Sequence, residues 1–211
     1  MSKVVLFAAS LLVVAGIASA GIIDPCGSPV DYTGPVIACL FACPQGDGQT
    51  YSEAGFTLAF TVNDLGGNPI PDIPASDFWL IDCDPTELEL TLCAGSASSA
   101  ADSATNSAGQ TTMSNGTLNA GGCADGLTPV VQGFLLELAP QCDPYCFDIR
   151  VRTPDLDGNL EINLVDLANF SACFPPQLYD KCCDFDCNAT VNLQDLARFA
   201  FHFGPPGHKC Q

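Results

Sequence analysis

The chain has 211 residues, with 24 acidic and six basic side chains and a formal net charge of −18. This charge argues against binding to nucleic acid or to an anionic membrane surface, because both are polyanions. The length allows one medium-sized domain and one small domain.

The N-terminus has the pattern of a secretory signal peptide. Lys3 precedes an apolar run, Val4–Ile17, which ends in the small residues Ala18-Ser19-Ala20. A basic start, a short apolar core and an A-x-A end predict cleavage after Ala20. The run is shorter than the roughly 20 residues that span a bilayer. We therefore expect a secreted, extracellular or cell-surface protein, with residues 1–20 as its signal peptide and no other membrane association.

Residues 21–152 are predicted to form the first domain, built from β-strands. Phe56–Val62 alternates apolar and polar residues with period two, which is typical of a strand with one buried face. The other predicted strands are Asp77–Ile81, Leu88–Leu92, Val130–Leu138 and Phe147–Val151. Glycine and proline pairs, among them Gly121-Gly122, are interpreted as turns between strands. Several short strands without a helical period predict an antiparallel β-sandwich.

Two turn segments in this region carry a family resemblance. Val62–Pro71 reads as a strand, a glycine-rich turn and a proline-led strand, and Ala104–Thr111 reads as a turn into another strand. Together they resemble bacterial immunoglobulin-like domains of the invasin and intimin type, over roughly residues 56–135. The resemblance implies a spacer or adhesive module and no catalysis. Ile22–Cys43 would then supply an extra edge strand or a disulfide-tied lead-in.

All thirteen cysteines follow the signal peptide, which predicts a disulfide framework in an exported chain. Zinc binding is the alternative, because Cys39/Cys43, Cys142/Cys146 and Cys183/Cys187 have spacings that a zinc site can use. The odd number leaves at least one thiol free or paired with another chain.

Residues 153–211 form the second predicted domain, which contains an internal repeat. Asp155–Pro176 and Asp184–Pro205 share 11 of 22 aligned positions at an offset of 29 residues. Numbered from its first Asp, each segment has oxygen-bearing side chains at positions 1, 3, 5, 9 and 12, and an expected backbone carbonyl ligand at position 7. The predicted ligands are Asp155, Asp157, Asn159, Glu161, Asn163 and Asp166 in the first segment, and Asp184, Asp186, Asn188, Thr190, Asn192 and Asp195 in the second.

This is the ligand order of a twelve-residue EF-hand loop, so the sequence predicts two calcium sites. Calcium is favoured over magnesium, which requires a tighter octahedron, and the donors are all oxygen atoms. Position 6 is usually Gly, whereas here it is Leu160 or Ala189. A left-handed conformation at these residues costs about 1–2 kcal/mol, which predicts weaker binding or a different turn.

Each loop is followed by a predicted helix and is preceded by none. A duplicated calcium loop with only its exiting helix resembles the dockerin module, over residues 155 to about 206. The resemblance implies calcium-dependent docking onto a cohesin domain of a partner protein, as in assemblies that degrade plant polysaccharides. Leu164-Val165 and Leu193-Gln194 occupy the positions of cohesin recognition, where that family commonly has a hydroxyl pair.

An alternative interpretation without metal is that Asn163 and Asn192 cap the two helices through Asx-turns. No catalytic motif is evident in the sequence. His202 and His208 are predicted to be a helix-face residue and a tail residue, and Trp79 is predicted to be a core residue. We therefore expect a non-catalytic protein of extracellular assembly or adhesion. The alternative is an accessory subunit of a cellulosome-like, polysaccharide-degrading complex, in which the sandwich binds carbohydrate through Trp79.

Overall fold

Twelve short β-strands and two α-helices form the regular structure of the parts of the chain that the computed structural model describes, residues 21–83, 90–93, 100–174 and 179–203. The predicted signal peptide lies outside these ranges. The strands are β1 (Val30–Thr33), β2 (Ala38–Phe41), β3 (Thr57–Thr61), β4 (Phe78–Asp82), β5 (Leu90–Leu92), β6 (Gln110–Met113), β7 (Ala120–Ala124), β8 (Leu127–Val131), β9 (Phe134–Leu135), β10 (Glu137–Leu138), β11 (Asp143–Pro144) and β12 (Ile149–Arg152). The helices are α1 (Leu164–Cys173) and α2 (Leu193–His202). The prediction of a mainly β protein is confirmed.

The strands form four sheets, with the orders β1-β3-β6, β2-β12-β7-β5, β4-β8-β9 and β10-β11. Every pair is antiparallel except β12 and β2, which run parallel with Val151 opposite Leu40. The prediction of a purely antiparallel arrangement is wrong at this pair. A long crossover separates β2 from β12, so no tight hairpin forces them to run in opposite directions.

One hydrophobic core is shared by the three larger sheets. In β3, the buried Leu58 and Phe60 alternate with half-buried neighbours, as the period-two pattern predicts. Phe60 packs edge-on against Phe78 of β4, with ring centroids 5.2 Å apart. Burial of one such side chain contributes about 1.5–3 kcal/mol. The core therefore holds strands of different sheets against one another.

The two turn segments distinguished in the sequence, Val62–Pro71 and Ala104–Thr111, lie side by side. Asp64 Oδ1 accepts a hydrogen bond from the backbone N–H of Asn68 (2.8 Å), and Asn106 Oδ1 accepts one from the backbone N–H two residues further on (2.8 Å). The backbone N–H of Val62 donates to the carbonyl oxygen of Gly109 over 2.8 Å. Both turns are thus closed by a side chain and joined to each other through the backbone.

The single strand predicted at Val130–Leu138 is wrong. The chain reverses after β8 and returns as β9, which pairs with it antiparallel. Gln132 and Gly133, between the two strands, both have positive φ (50° and 86°). Two successive residues of this kind make a tight hairpin turn, so Gly133 was the turn signal within a mostly apolar run.

The interpretation of Gly121-Gly122 as a turn is also wrong. Both residues lie in the middle of β7, whose five residues are all buried and which lies between β5 and β12. A glycine inside a strand marks a place where another group approaches the backbone closely. At Gly121 that group is the carboxylate of Asp155, the first residue of the first predicted calcium loop.

Trp79 does not lie in the core. Along β4 its neighbours Phe78 and Leu80 are buried, whereas Trp79 is only half-buried and its side chain is on the opposite face of the strand. The prediction that Trp79 is a core residue is therefore wrong.

Five disulfides join described cysteines: Cys26–Cys142, Cys39–Cys187, Cys83–Cys146, Cys123–Cys182 and Cys173–Cys183. Such a framework is typical of exported proteins. In each of the three cysteine pairs with zinc-compatible spacing, at least one sulfur is in a disulfide, so none of these pairs can provide two thiolate ligands. Among the described cysteines, Cys43 is free, and it is buried.

A second hydrophobic cluster joins the two predicted domains. It contains Phe170 of α1, Phe199 of α2 and Phe185 between the helices, together with Phe41 and Cys43 from the end of β2 and just beyond it. Two of the disulfides, Cys39–Cys187 and Cys123–Cys182, also cross the predicted boundary at residue 152. Residues 153–174 and 179–203 are therefore packed on and bonded to the β-region.

Both α-helices have ten residues. Within the described ranges, no helix combines the length and the apolar character needed to cross a membrane.

Candidate metal centres

Three carboxylates converge in the first loop. Oxygen atoms of Asp155, Asp157 and Asp166 all lie within 4.8 Å of one another. Asp155 and Asp166 are fully buried, whereas Asp157 is exposed at the mouth of the loop. The fold thus brings together positions 1, 3 and 12 of the predicted calcium loop.

Backbone N–H groups hold the two buried carboxylates in place. Asp155 accepts hydrogen bonds from the backbone N–H of Leu160 (2.6 Å) and of Asn159 (3.2 Å). Asp166 accepts one from Leu156 (2.8 Å) and one from Asn163 (2.8 Å). The loop is therefore wrapped around its acidic side chains, and their oxygen atoms are fixed by neutral donors.

The first cluster carries negative charge that the surrounding side chains do not neutralise. Burial and the neighbouring negative charges of Asp166 and Asp157 together raise the pKa of Asp155 to about 7, against the hydrogen bond from Leu160, which lowers it. Burial likewise raises the pKa of Asp166. Within the described ranges, the ion pairs with basic residues are made by other carboxylates. A bound cation would remove this unfavourable charge.

The second loop repeats the arrangement with Asp184, Asp186 and Asp195, whose oxygen atoms again lie within 4.8 Å of one another. Asp184 and Asp195 are buried. Asp184 accepts from the backbone N–H of Ala189 (2.8 Å), and Asp195 accepts from that of Asn192 (2.9 Å). Burial raises the pKa of Asp186, and the charge of Asp195 acts in the same direction. The second loop thus repeats the convergence of three carboxylates and their backbone donors.

One donor is specific to the second loop. The Tyr179 hydroxyl donates to Asp184 Oδ2 over 2.8 Å. Burial, followed by this hydrogen bond, raises the pKa of Tyr179 to about 12. The hydroxyl therefore stays protonated as a donor across the physiological range.

In both loops the residue at position 6 has the left-handed backbone conformation that glycine usually adopts there. Leu160 has φ of 67° and Ala189 has φ of 66°, and position 4 is also left-handed in both loops, at Gly158 (67°) and Cys187 (55°). The sequence left open whether the chain would turn differently without glycine at position 6. The loop hydrogen bonds hold the same turn despite the cost of a β-carbon there.

The asparagines at position 9 cap the helices. Asn163 Oδ1 accepts from the backbone N–H of Val165 (2.8 Å), and Asn192 Oδ1 accepts from that of Gln194 (2.7 Å). Their amide groups donate to the carbonyl oxygens at position 7, of Glu161 (3.1 Å) and Thr190 (3.2 Å). The capping role considered from the sequence is thus present together with the carboxylate cluster. At position 5, Asn159 and Asn188 are exposed at the loop surface.

The two repeats pack against each other. Phe170 and Phe199, at equivalent positions of α1 and α2, stack with centroids 5.3 Å apart and planes 17° apart. Ile162 and Val191 at position 8 are both buried in the same cluster. Each loop is therefore supported by the other repeat.

The first loop is also supported by β7, which the sequence did not indicate. The backbone N–H of Gly122 donates to the carbonyl oxygen of Asp155 (2.7 Å), and the Thr153 hydroxyl donates to the carbonyl oxygen of Gly122 (2.7 Å). Gly121 has no room for a β-carbon, because it would overlap the Asp155 carboxylate. The paired glycines were the available signal, and they mark this close approach.

No model of a known protein family matches the sequence, and neither a curated protein nor a solved structure matches it.

Proposed function

We propose that the two loops bind one calcium ion each. The observation that carries this proposal is the repeated convergence of three carboxylates, two of them buried in each loop. A site made only of oxygen donors favours a hard cation, and three carboxylates favour a divalent one. The donor set fits calcium, which accepts flexible geometry and six to eight oxygen ligands.

The side chains that hold each ion are the three Asp residues and the Asn at position 5. The backbone carbonyls of Glu161 and Thr190 add the position 7 ligand. Asn163 and Asn192 take part through water, because their side-chain oxygens already cap the helices and position 9 of such loops commonly acts in this way. The ion supplies positive charge to buried carboxylates and thereby stabilises the folded loops.

In each loop, the Asp at position 12 couples calcium binding to the start of the helix that follows. Asp166 is a member of the first cluster and also accepts from the backbone N–H of Asn163, the N-cap of α1. Asp195 does the same for Asn192 and α2. An ion that fixes these carboxylates therefore also fixes the first turns of both helices.

These first turns carry exposed apolar side chains. Leu164 is 72% exposed and Leu193 is 71% exposed, and Val165 is also exposed. Their repeat-related placement supports a docking surface, and we propose that a cohesin-like domain of a partner protein binds there when calcium is present. The surface of this partner would be more apolar than the surface of a cohesin that binds the hydroxyl pair common in dockerins.

For the whole chain we propose a secreted, non-catalytic protein of extracellular assembly or adhesion. Its residues 21–152 act as an immunoglobulin-like spacer of the invasin and intimin type, and residues 153–211 act as a dockerin-like module. The adjacent turns at Asp64 and Asn106 support the first assignment, and the duplicated loop–helix units support the second.

Calorimetric titration of the intact chain with calcium tests the metal sites. We expect two calcium ions per chain, and one per chain after either Asp166→Ala or Asp195→Ala, since each removes a buried carboxylate from one loop. Asp148→Ala is the control, because Asp148 is an exposed carboxylate outside the loops, 4.0 Å from Arg150. Absence of binding to the folded chain, or binding unchanged in both loop variants, would contradict the proposal.

Binding to a panel of cohesin domains, measured with and without chelator, tests the docking surface. We expect binding in calcium that is lost in chelator and weakened at least tenfold by Leu164→Asp combined with Leu193→Asp. Val36→Asp is the matched control, because Val36 is 90% exposed on the β-region. Equal weakening by the control, or no binding of any cohesin, would count against this partner.

A second candidate function is carbohydrate binding by the β-region. Trp79 is half-buried on the face of β4 that lies away from the core, so its ring is accessible in part. In this function the chain is an accessory subunit of a cellulosome-like, polysaccharide-degrading complex. Retention on insoluble glycans that disappears with Trp79→Ala supports it, and retention that persists in this variant argues against Trp79 as the sugar-binding residue.

A further inference from the structure

Three side chains outside the calcium loops meet where α2 reaches the segment after β2. His202 Nδ1 lies 3.6 Å from Cys43 Sγ and 3.2 Å from Asp47 Oδ2, and the three atoms all lie within 4.8 Å of one another. Cys43 is fully buried and His202 is 5% exposed, whereas Asp47 reaches the surface. The fold thus brings a free thiol, an imidazole and a carboxylate to one point, although Cys43 and His202 are 159 residues apart.

A Cys-His-Asp group could serve as a nucleophile with its base, or as a set of metal ligands. A nucleophilic thiol must reach a substrate and ionise readily. Cys43 is enclosed, and burial, together with its hydrogen bond to Asp47, raises the pKa of its thiol. The nucleophile interpretation is therefore unsupported. A metal ion does not need an exposed sulfur atom, because it brings its own charge to the thiolate.

The two separations from His202 Nδ1 are compatible with a tetrahedral zinc site. With zinc–ligand bonds of about 2.3 Å to sulfur, about 2.0–2.1 Å to nitrogen and about 2.0–2.2 Å to oxygen, tetrahedral geometry separates sulfur from nitrogen by about 3.5–3.6 Å and nitrogen from oxygen by about 3.3–3.5 Å. The observed separations from His202 Nδ1 are 3.6 Å to Cys43 and 3.2 Å to Asp47. The ligand types also suit zinc, which accepts thiolate, imidazole and carboxylate together.

We propose that Cys43, Asp47 and His202 bind one zinc ion. A water molecule would complete the tetrahedron, because Asp47 and His202 also line an open surface pocket together with Gln49 and Phe201. Three protein ligands and one solvent position are a recognised arrangement for zinc.

This site would differ from the calcium loops in both ligands and effect. Two ligands belong to the β-region and the third is the last residue of α2. The zinc ion would fasten the end of the second repeat to the β-region, independently of whether the loops bind calcium.

The test uses the intact chain with its disulfides formed, stripped of transition metals and saturated with calcium so that the loops are filled. We expect calorimetric titration with zinc to give one ion per chain. Cobalt(II) in place of zinc should give the near-ultraviolet charge-transfer band of a metal–thiolate bond and the visible bands of tetrahedral cobalt. Absence of binding, or binding without the charge-transfer band, overturns the proposal.

Variants identify the ligands. Cys43→Ser, Asp47→Asn and His202→Gln should each weaken zinc binding at least about 100-fold, the upper end of the cost of losing an outer-shell partner. Glu53→Gln is the matched control, because Glu53 lines the same pocket but its carboxylate accepts hydrogen bonds from Thr50. Unchanged binding in the folded ligand variants overturns the proposal. Should a variant fail to fold, the cobalt spectrum of the wild-type chain decides alone.

Discussion

The backbone of Gly121 lies directly against the carboxylate of Asp155, so that a β-carbon at position 121 would overlap Asp155 Oδ2. Gly121 is a central residue of β7, and Asp155 is the first ligand of the first proposed calcium loop. The β-region therefore sets the position of a proposed metal ligand in the C-terminal region.

We expect Gly121→Ala to disrupt the first calcium site and to leave the second intact. The added methyl group forces either the strand or the carboxylate to move, and overpacking of this kind costs about 1–3 kcal/mol. Calorimetry should give one calcium ion per chain instead of two. The control is Gly66→Ala in an exposed turn, where the nearest atoms to a β-carbon belong to the side chains of Asn68 and Asp64. Two calcium ions with unchanged affinity in Gly121→Ala would contradict this account.

We expect Ala189→Gly to stabilise the protein. Ala189 has φ of 66°, and removing its β-carbon relieves about 1–2 kcal/mol, part of which the greater freedom of glycine in the unfolded chain offsets. Denaturant unfolding should show a net gain of roughly 0.5–1 kcal/mol.

Ala168→Gly is the matched control for this substitution. Ala168 is exposed within α1, where glycine costs about 1 kcal/mol. Opposite signs for the two Ala→Gly changes are expected. A loss of stability at both positions would mean that the left-handed turn at Ala189 carries little strain.

We expect Asn192→Ala to act through the helix cap more than through calcium. Its side-chain oxygen accepts from the backbone N–H of Gln194, and loss of such a cap costs about 1 kcal/mol. Unfolding experiments should show this loss both in calcium and in chelator, and Asn192→Ser should restore most of it. A loss confined to calcium-containing buffer would instead make Asn192 a direct ligand.

The pH dependence of stability should reveal the role of Asp102 in the β-region. Burial would raise the pKa of Asp102, but hydrogen bonds from Asn115, Thr112 and Ser114 outweigh it, and its pKa is lowered. A carboxyl group whose pKa is lowered in the folded state stabilises the protein at pH values above the pKa of that group in the unfolded chain, which is about 3.9. This contribution is lost as pH falls through the folded value.

Asp102→Asn should therefore lower the melting temperature by a constant amount from pH 8 to pH 5, and the difference from the wild type should shrink below about pH 4. Asp148→Asn at an exposed site is the control. A difference that stays constant down to pH 2 would show that the charge of Asp102 is not what stabilises this loop.

The sequence was informative where its pattern reflects local geometry. The period-two alternation at Leu58 and Phe60 placed β3, and the repeated acidic positions identified the carboxylates that converge in both loops. These patterns depend on residues close together in the chain, so a single segment shows them.

The sequence was uninformative where distant segments meet. Gly121-Gly122 looks like a turn unless Asp155 is known to approach it, and the parallel pairing of β2 with β12 joins segments more than 100 residues apart. His202 likewise becomes a neighbour of Cys43 only through the packing of α2. No local periodicity records such contacts, since they result from the arrangement of the whole core.

The two disulfides that cross residue 152 limit how the C-terminal region can be used elsewhere. If residues 153–211 were transplanted onto another host protein, Cys182 and Cys187 would lose their partners Cys123 and Cys39. The face that Phe41 covers would be laid open as well. We therefore expect that residues 153–211 are not exchanged between proteins as an independent module. They would be inherited together with the β-region that supplies these partners.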